Sequence, residues 1–385
     1  MLAMSYRGPY RVRVVEKPIP EIEHPRDAIV RVSRACICGS DLHLYHGLMP
    51  DTRVGQTFGH EFCGVVEEVG SDVHNLKAGD RVLVPFHISC GECYFCKKQL
   101  YSNCHNANPN ATAVGGIYGY SHTTGGYDGG QAEYVRVPYA DVGPTLIPDT
   151  IDDENAALCT DAYPTGYQGA EMAQIKRGDS IVVFGAGPVG LFAARCAWFF
   201  GAGRVLIVDE YDYRLEFARK FAQCETLNFR DVADPAWYLK KETDWLGWDA
   251  AIEAVGCEAS GSAVQRALGI RPFKLQGGTA VALWWAIDSV RKGGVVSILG
   301  GFGPAPNMVK IGDAMNKGLT FRTNQASVKR NLPRCLEHIE AGHVCPKDVV
   351  THRIPLEEIS DGYHIFSSKL DHCIKPMVIP PRATR

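Results

Sequence analysis

No stretch of this chain stays apolar for the ~20 residues a membrane-spanning helix requires. The apolar run at 180–194 is 15 residues long and is broken by glycines and a proline, so it reads as a buried strand and turn. The first residues, MLAMSYRGPYRVRV, hold no apolar core of signal-peptide length. Neither sign of charge dominates: 40 Lys and Arg face 43 Asp and Glu, a net charge of -3. That balance gives no whole-molecule attraction to nucleic acid or to an anionic membrane. There is no internal repeat and no low-complexity segment. These absences predict a cytoplasmic protein with neither a nucleic-acid nor a membrane partner. Disulfides are not expected there, so clustered cysteines should be metal ligands or catalytic groups.

Cysteine is plentiful. The chain has 14, and four of them (Cys90, Cys93, Cys96 and Cys104) fall within 15 residues. The others are scattered and read mostly as small core residues. With 385 residues, 45% hydrophobic and 22% charged, the chain can build two domains with separate cores.

The first 160 residues read as β-rich. Runs at 28–33, 64–69, 81–85 and 132–137 carry β-branched residues between Gly, Pro and Asp. The Gly- and Asn-rich stretch 106–131 predicts a long loop. Near Thr165 the pattern changes. An apolar strand at 180–184 is followed by GAGPVG and a helix to Phe200, with Gly201 as its stop. A strand at 204–209, a helix at 213–222 with Leu215, Ala218 and Ala222 on one face, and strands at 248–255 and 295–299 follow. Alternating strands and helices imply a parallel sheet covered on both faces. From about Phe321 the segments shorten and β character returns, which predicts a return to the first domain.

Gly185-Ala186-Gly187-Pro188-Val189-Gly190 matches G-x-G-x-x-G in the required setting, after a strand and at the start of a helix. The first Gly permits the turn, the second admits a pyrophosphate and the third lets helix and strand pack. The helix N-terminus supplies amide donors and positive dipole. Asp209 ends the next predicted strand, 19 residues after Gly190. A carboxylate there accepts from the adenosine ribose and repels a 2′-phosphate, so the expected cofactor is NAD. Arg214 is placed to line the adenine side.

Cys90-x2-Cys93-x2-Cys96-x7-Cys104 can wrap four thiolates around one zinc, leaving no open position, which marks a structural site. Mixed flanking charge (Glu92 against Lys97 and Lys98) argues against a nucleic-acid zinc ribbon. A second set is dispersed. Cys38 and His60 offer two ligands, and CTDAYPTGY offers Cys159 or Asp161 as a third, which leaves the fourth place for water or substrate.

The motifs ICGSDLH, GHE, GDRV, the four-cysteine lobe, PTGY and VFGAGPVGL appear together and in order. In this the chain resembles the zinc-containing medium-chain alcohol dehydrogenases over essentially its full length. It is most similar to their glutathione-independent formaldehyde dehydrogenase branch: Asp161 stands four residues before Thr165, the stretch YGYSHTTGGYDGGQAEYV is Gly-rich, and 257–283 is extended. Relatives outside that branch usually have Cys where Asp161 stands.

The resemblance implies an α/β protein with a GroES-like β-barrel catalytic domain at 1–160 carrying the structural zinc lobe, a Rossmann domain at 161–320 and a return to the catalytic domain at 321–385. It implies two zinc ions per chain, the catalytic one held by Cys38, His60 and Asp161. It implies hydride transfer between an alcohol, or an aldehyde hydrate, and NAD, and a homo-oligomer, dimer or tetramer. By position, Ser40 and His43 match a proton relay, Glu61 lies behind the zinc, Asp41 orients His60, Phe86 lines the substrate pocket and Lys375 reaches a cofactor phosphate. Gly39 departs from relatives that carry a basic residue there for the pyrophosphate. Trp284 and Trp285 are expected at the domain surface.

Overall fold

The computed structural model describes residues 1–110, 114–256, 280–302 and 309–381. The extended segment singled out above falls largely outside them. The chain forms two compact units, one of residues 1–164 and 325–385, the other of residues 165–324.

The first unit is built on a seven-stranded sheet. Its order is Val350–Pro355, Lys375–Ile379, Ala28–Cys36, Phe62–Val69, Arg81–Val84 and Thr145–Leu146, with Tyr134–Val137 also on Ala28–Cys36. Ala28–Cys36 is the centre, with antiparallel partners on both sides. This is why its β-branched residues are buried along almost its whole length. Gly64 sits opposite Val32, and a Cβ there would lie 2.0 Å from the Arg31 carbonyl oxygen, so only glycine fits this approach. The core gathers Met4, Val30, Val32, Phe58, Phe62, Val84, Tyr118 and Tyr363.

The second unit is a six-stranded, fully parallel sheet. Its order is Glu225–Asn228, Arg204–Asp209, Ser180–Phe184, Trp248–Glu253, Val290–Ile298 and Thr320–Thr323. Numbered along the chain this is 3-2-1-4-5-6, the doubly wound dinucleotide-binding topology, whose ligand crevice lies at the carboxyl ends of the central strands. Val182, Phe184, Leu206, Val208 and Trp248 form its core with Ile287. Trp285 packs its ring near Phe184 and Phe229, and Lys310 lies over Trp284, so the two tryptophans belong to the helix Val281–Ser289 that covers the sheet.

Three expectations need correction. Thr320–Thr323 is the last strand of the parallel sheet, so the chain leaves that unit after Asn324. The return is also not chiefly β: it contains the helices Val328–Glu340 and Ile359–Ser368. Val328, Asn331, Leu332 and Cys335 form one buried helical face, disguised in the sequence by Pro333 inside the helix. Finally, the loop at 106–131 contains a short strand, Gly116–Ile117, paired with His87–Ile88, and the turn His122–Thr124.

Candidate functional site

Cys38 follows the central strand and caps the helix Gly39–Tyr45, where its backbone N–H donates to Asp41 Oδ2 at 2.8 Å. His60 follows Gly59, whose φ of +99° turns the chain into the strand Phe62–Val69. Asp161 belongs with the first unit because the Phe86 amide donates to the Thr160 carbonyl at 3.0 Å. Three loops of one unit thus converge. Cys38 Sγ lies 3.5 Å from Asp161 Oδ2, His60 Nε2 lies 3.5 Å from the same oxygen, and all three donor atoms fall within 4.8 Å of one another.

Cys159 is not in this group. It ends the helix Asp153–Leu158 with φ -79° and ψ -6°. The segment is therefore helical at that point, and Cys159 and Asp161 do not share a side as they would in an extended chain. Burial, with the neighbouring Cys63, pushes the Cys159 thiol well up.

The trio fits a metal by distance and by charge. A tetrahedral zinc with bonds of about 2.0–2.3 Å puts its ligand atoms about 3.3–3.8 Å apart. The carboxyl groups of Asp41, Glu61 and Asp161 and the Cys38 thiol surround the point, with Lys375 as the buried cation beside them. Burial, with the Glu61 charge, pushes the Cys38 thiol up, so a thiolate there needs a further cation.

His60 is oriented from behind, its Nδ1 lying 3.2 Å from Asp41 Oδ1. Burial alone would lower the pKa of this ring, but the Asp41 charge and the surrounding hydrogen bonds raise it well above the usual range. Ser40 Oγ lies 3.2 Å from His60 Nε2. His43 is buried, with Nδ1 3.2 Å from the Tyr120 hydroxyl. The rings of Phe86 and Tyr120 meet His60 edge-on, with centroids at 6.1 and 6.4 Å. Tyr120 was missed in the sequence because it lies in the Gly-rich stretch that reads as loop. Two tyrosines around a glycine, YGY, were the available signal.

Lys375 does not point to a cofactor. It is fully buried and donates to Glu61 Oε2. Its strand, Lys375–Ile379, lies between two others in the sheet, which turns the long side chain inward. Burial lowers the ammonium and the Glu61 charge raises it, with a net upward shift. Glu61, completely buried, faces Lys375.

The four thiols of the lobe form a second group with donor atoms within 4.8 Å of one another, and all four are free of disulfides. Cys90 and Cys96 lie 3.9 Å apart, as do Cys93 and Cys104, close to the tetrahedral edge of about 3.8 Å expected for four Zn–S bonds. The Cys90 amide donates to Cys104 Sγ and the Cys93 amide to Cys90 Sγ, both at 3.3 Å. A hydrogen bond from Cys96, reinforced by backbone amides against the effect of burial, pulls the Cys104 thiol down to about 5.

In the second unit Gly185 has φ +96° and Gly187 caps the helix Pro188–Phe199. A Cβ on Gly190 would meet the Gly185 carbonyl at 1.8 Å, whereas one on Gly187 would meet nothing within 4 Å. Gly190 is therefore required for packing, and Gly187 opens space before amide donors. Val189 follows Pro188 in the first helical turn. Asp209 ends its strand and accepts from the Ala186 amide at 2.7 Å through Oδ2 and from the Glu210 and Tyr211 amides through Oδ1. Arg214 Nη1 lies 4.0 Å from Asp209, with its guanidinium beside the rings of Tyr211 and Tyr213.

Residues 24–149 match the alcohol dehydrogenase GroES-like domain family. Along its length the chain is similar to the zinc-type alcohol dehydrogenase-like protein AdhB of Bacillus subtilis (strain 168), with 44% identity over 99% of this chain and 100% of that protein. It is similar to the glutathione-independent formaldehyde dehydrogenase of Pseudomonas aeruginosa (strain PAO1), with 34% identity over 98% of this chain and 96% of that one. Among solved structures it is similar to the alcohol dehydrogenase TADH from Thermus sp. ATN1: 35% identity, TM-score 0.84, covering 99% of this chain and 100% of that one. With a GroES-like unit, a dinucleotide-binding unit and donor sets suited to zinc, the chain belongs to the zinc-containing medium-chain alcohol dehydrogenase family and is a zinc-dependent alcohol/aldehyde oxidoreductase that works with a nicotinamide cofactor.

Proposed function

We propose that the chain is an NAD-linked dehydrogenase of short alcohols, or of formaldehyde as its hydrate, with two zinc ions of different roles. The observation that carries this reading is the separation of two donor sets: four thiols in one lobe, and Cys38, His60 and Asp161 apart from them. Four thiolates close a structural site, and three protein ligands leave one place for substrate.

Cys38, His60 and Asp161 would hold the catalytic zinc. When bound, zinc lowers the pKa of a hydroxyl on its open side and the nicotinamide accepts hydride from the carbinol carbon. Asp161 supplies a carboxylate where a thiolate would carry the same charge, giving a harder and less electron-donating set. Ser40, beside His60 Nε2, would take up the substrate's hydroxyl proton at the inner end of the relay, and His43, beside Tyr120, would stand at its outer end, with the ribose hydroxyl of the cofactor between them. An alcohol thereby loses one hydride and one proton and becomes a carbonyl; a gem-diol becomes an acid. Phe86 and Tyr120 wall the site and limit water. Asp41 fixes the imidazole, and Glu61, neutralised by Lys375, supports the site from behind.

Gly185, Gly187, Pro188, Val189 and Gly190 would receive the pyrophosphate, with Asp209 at the adenosine ribose and Arg214 along the adenine side. Without a basic residue at Gly39, the phosphates rely on the helix N-terminus. A cytoplasmic homo-oligomer, dimer or tetramer, is part of the same reading. The test is a panel of short alcohols and formaldehyde assayed with NAD and with NADP. The expected outcome is a higher kcat/KM with NAD, with the preference relaxed in Asp209→Ala; a higher kcat/KM with NADP in the unaltered protein would overturn the cofactor assignment.

A further inference from the structure

Asp41 is gripped by more than His60. Its Oδ2 accepts from the Cys38 amide at 2.8 Å and from Gln131 Nε2 at 3.2 Å. Gln131 Nε2 also donates to the Cys36 carbonyl at 3.1 Å, so both of its N–H bonds end on acceptors. Its Oε1 accepts from the Tyr363 hydroxyl at 2.8 Å. Gln131 and Tyr363 are each fully buried. A reversed amide would turn its oxygen against the Cys36 carbonyl and the Asp41 carboxylate, so only one orientation satisfies the network.

The site is built for this glutamine. The Gln131 amide donates to the Phe58 carbonyl at 3.1 Å, and a Cβ on Gly59 would come within 2.5 Å of Gln131 Cγ. The glycine before His60 therefore leaves room for Gln131. Tyr363 comes from the helix Ile359–Ser368, and its ring packs on Tyr45 with centroids 5.0 Å apart. Burial and the Asp41 charge hold its hydroxyl protonated, so it stays a donor.

We propose that Gln131 and Tyr363 are positioning residues for the zinc ligand His60. Tyr363 fixes the Gln131 amide, the amide fixes Asp41, and Asp41 fixes the imidazole. The inference rests on the reading of His60 as a ligand of the catalytic zinc. It ties three distant segments, around Asp41 and His60, at Gln131 and at Tyr363, to the orientation of one ring. Removing an outer partner of a metal-bound histidine weakens metal binding about 10- to 100-fold.

The experiment measures zinc release from the zinc-loaded enzyme to pyridylazoresorcinol, with metal content determined beforehand. The unaltered protein should release two zinc ions in separate phases. Tyr363→Phe and, independently, Gln131→Met should each quicken the catalytic phase about 10-fold and leave the thiolate phase unchanged. In an Asp41→Asn background, Tyr363→Phe should add less than about twofold, because its effect passes through Asp41. Unaltered release in both single variants, or equal quickening in the Asp41→Asn background, would overturn the inference while the two-zinc reading stood. An unaltered protein holding one zinc, lost in Cys93→Ser, would overturn both.

Discussion

Asp161 and Cys159 show how much a two-residue choice decides. The sequence alone offered both, and only the register of a known family favoured the aspartate. The structure gives a physical reason for its geometry: the helix Asp153–Leu158 turns Cys159 into the core, while Asp161 reaches Cys38 and His60. Asp161→Ala should therefore lose about one zinc per chain and two or more orders of magnitude in kcat, with the lobe zinc retained; metal analysis and turnover check both. Cys159→Ala should keep its zinc and activity and lose about 1–2 kcal/mol of stability to a small cavity. Lys375 was expected to reach a cofactor phosphate, but its direction was not legible, because strand pairing decides it. Its removal should expose its role. Lys375→Met leaves Glu61 buried without its cation and should destabilise the fold by about 3–5 kcal/mol in urea unfolding. Adding Glu61→Gln should recover part of that loss, an outcome that a cofactor-phosphate role for Lys375 would not produce.

At the scale of elements, most of the parallel sheet was readable. Its inner strands Ser180–Phe184 and Arg204–Asp209 are largely apolar runs buried along almost their whole length, and its phosphate turn carries the glycines that its backbone requires. The helix Val328–Glu340 was not readable, because Pro333 breaks its pattern and its buried face includes Asn331 and Cys335. Tyr120 and Gln131 were missed for a different reason: each acts through tertiary contacts from a Gly-rich segment with no periodic signal, while Tyr363 lies on the buried helix face of Ile359, Gly362 and Phe366, whose spacing marks burial but not the partner of the hydroxyl. Asp249 anchors the start of the sheet. It accepts from the Ser180 amide at 2.8 Å and hydroxyl at 2.9 Å and from Arg291 at 2.7 Å. Burial raises its carboxyl, and these donors outweigh burial, so the net shift is downward. A depressed carboxylate contributes stability above its unfolded pKa, and that contribution is lost as pH falls through its folded one. Asp249→Asn should cost about 1 kcal/mol at neutral pH. The gap to the unaltered protein should close on acidification below the ordinary carboxylate range, as urea midpoints measured across that range will show.

For the whole molecule, the two donor sets are separate groups, and the proposed function gives them different roles. On the proposed reading the lobe's four thiols would serve folding, since structural zinc contributes binding energy to the folded state. Cys38, His60 and Asp161 would serve turnover. The decisive measurement follows zinc content and NADH formation together, with a short alcohol or formaldehyde as substrate, while dipicolinate strips metal from the enzyme and zinc is then returned. The account predicts two zinc ions per chain at the start, loss of one in step with all turnover while the fold persists, and recovery of both on adding zinc. Undiminished NADH formation after that zinc has left would contradict it.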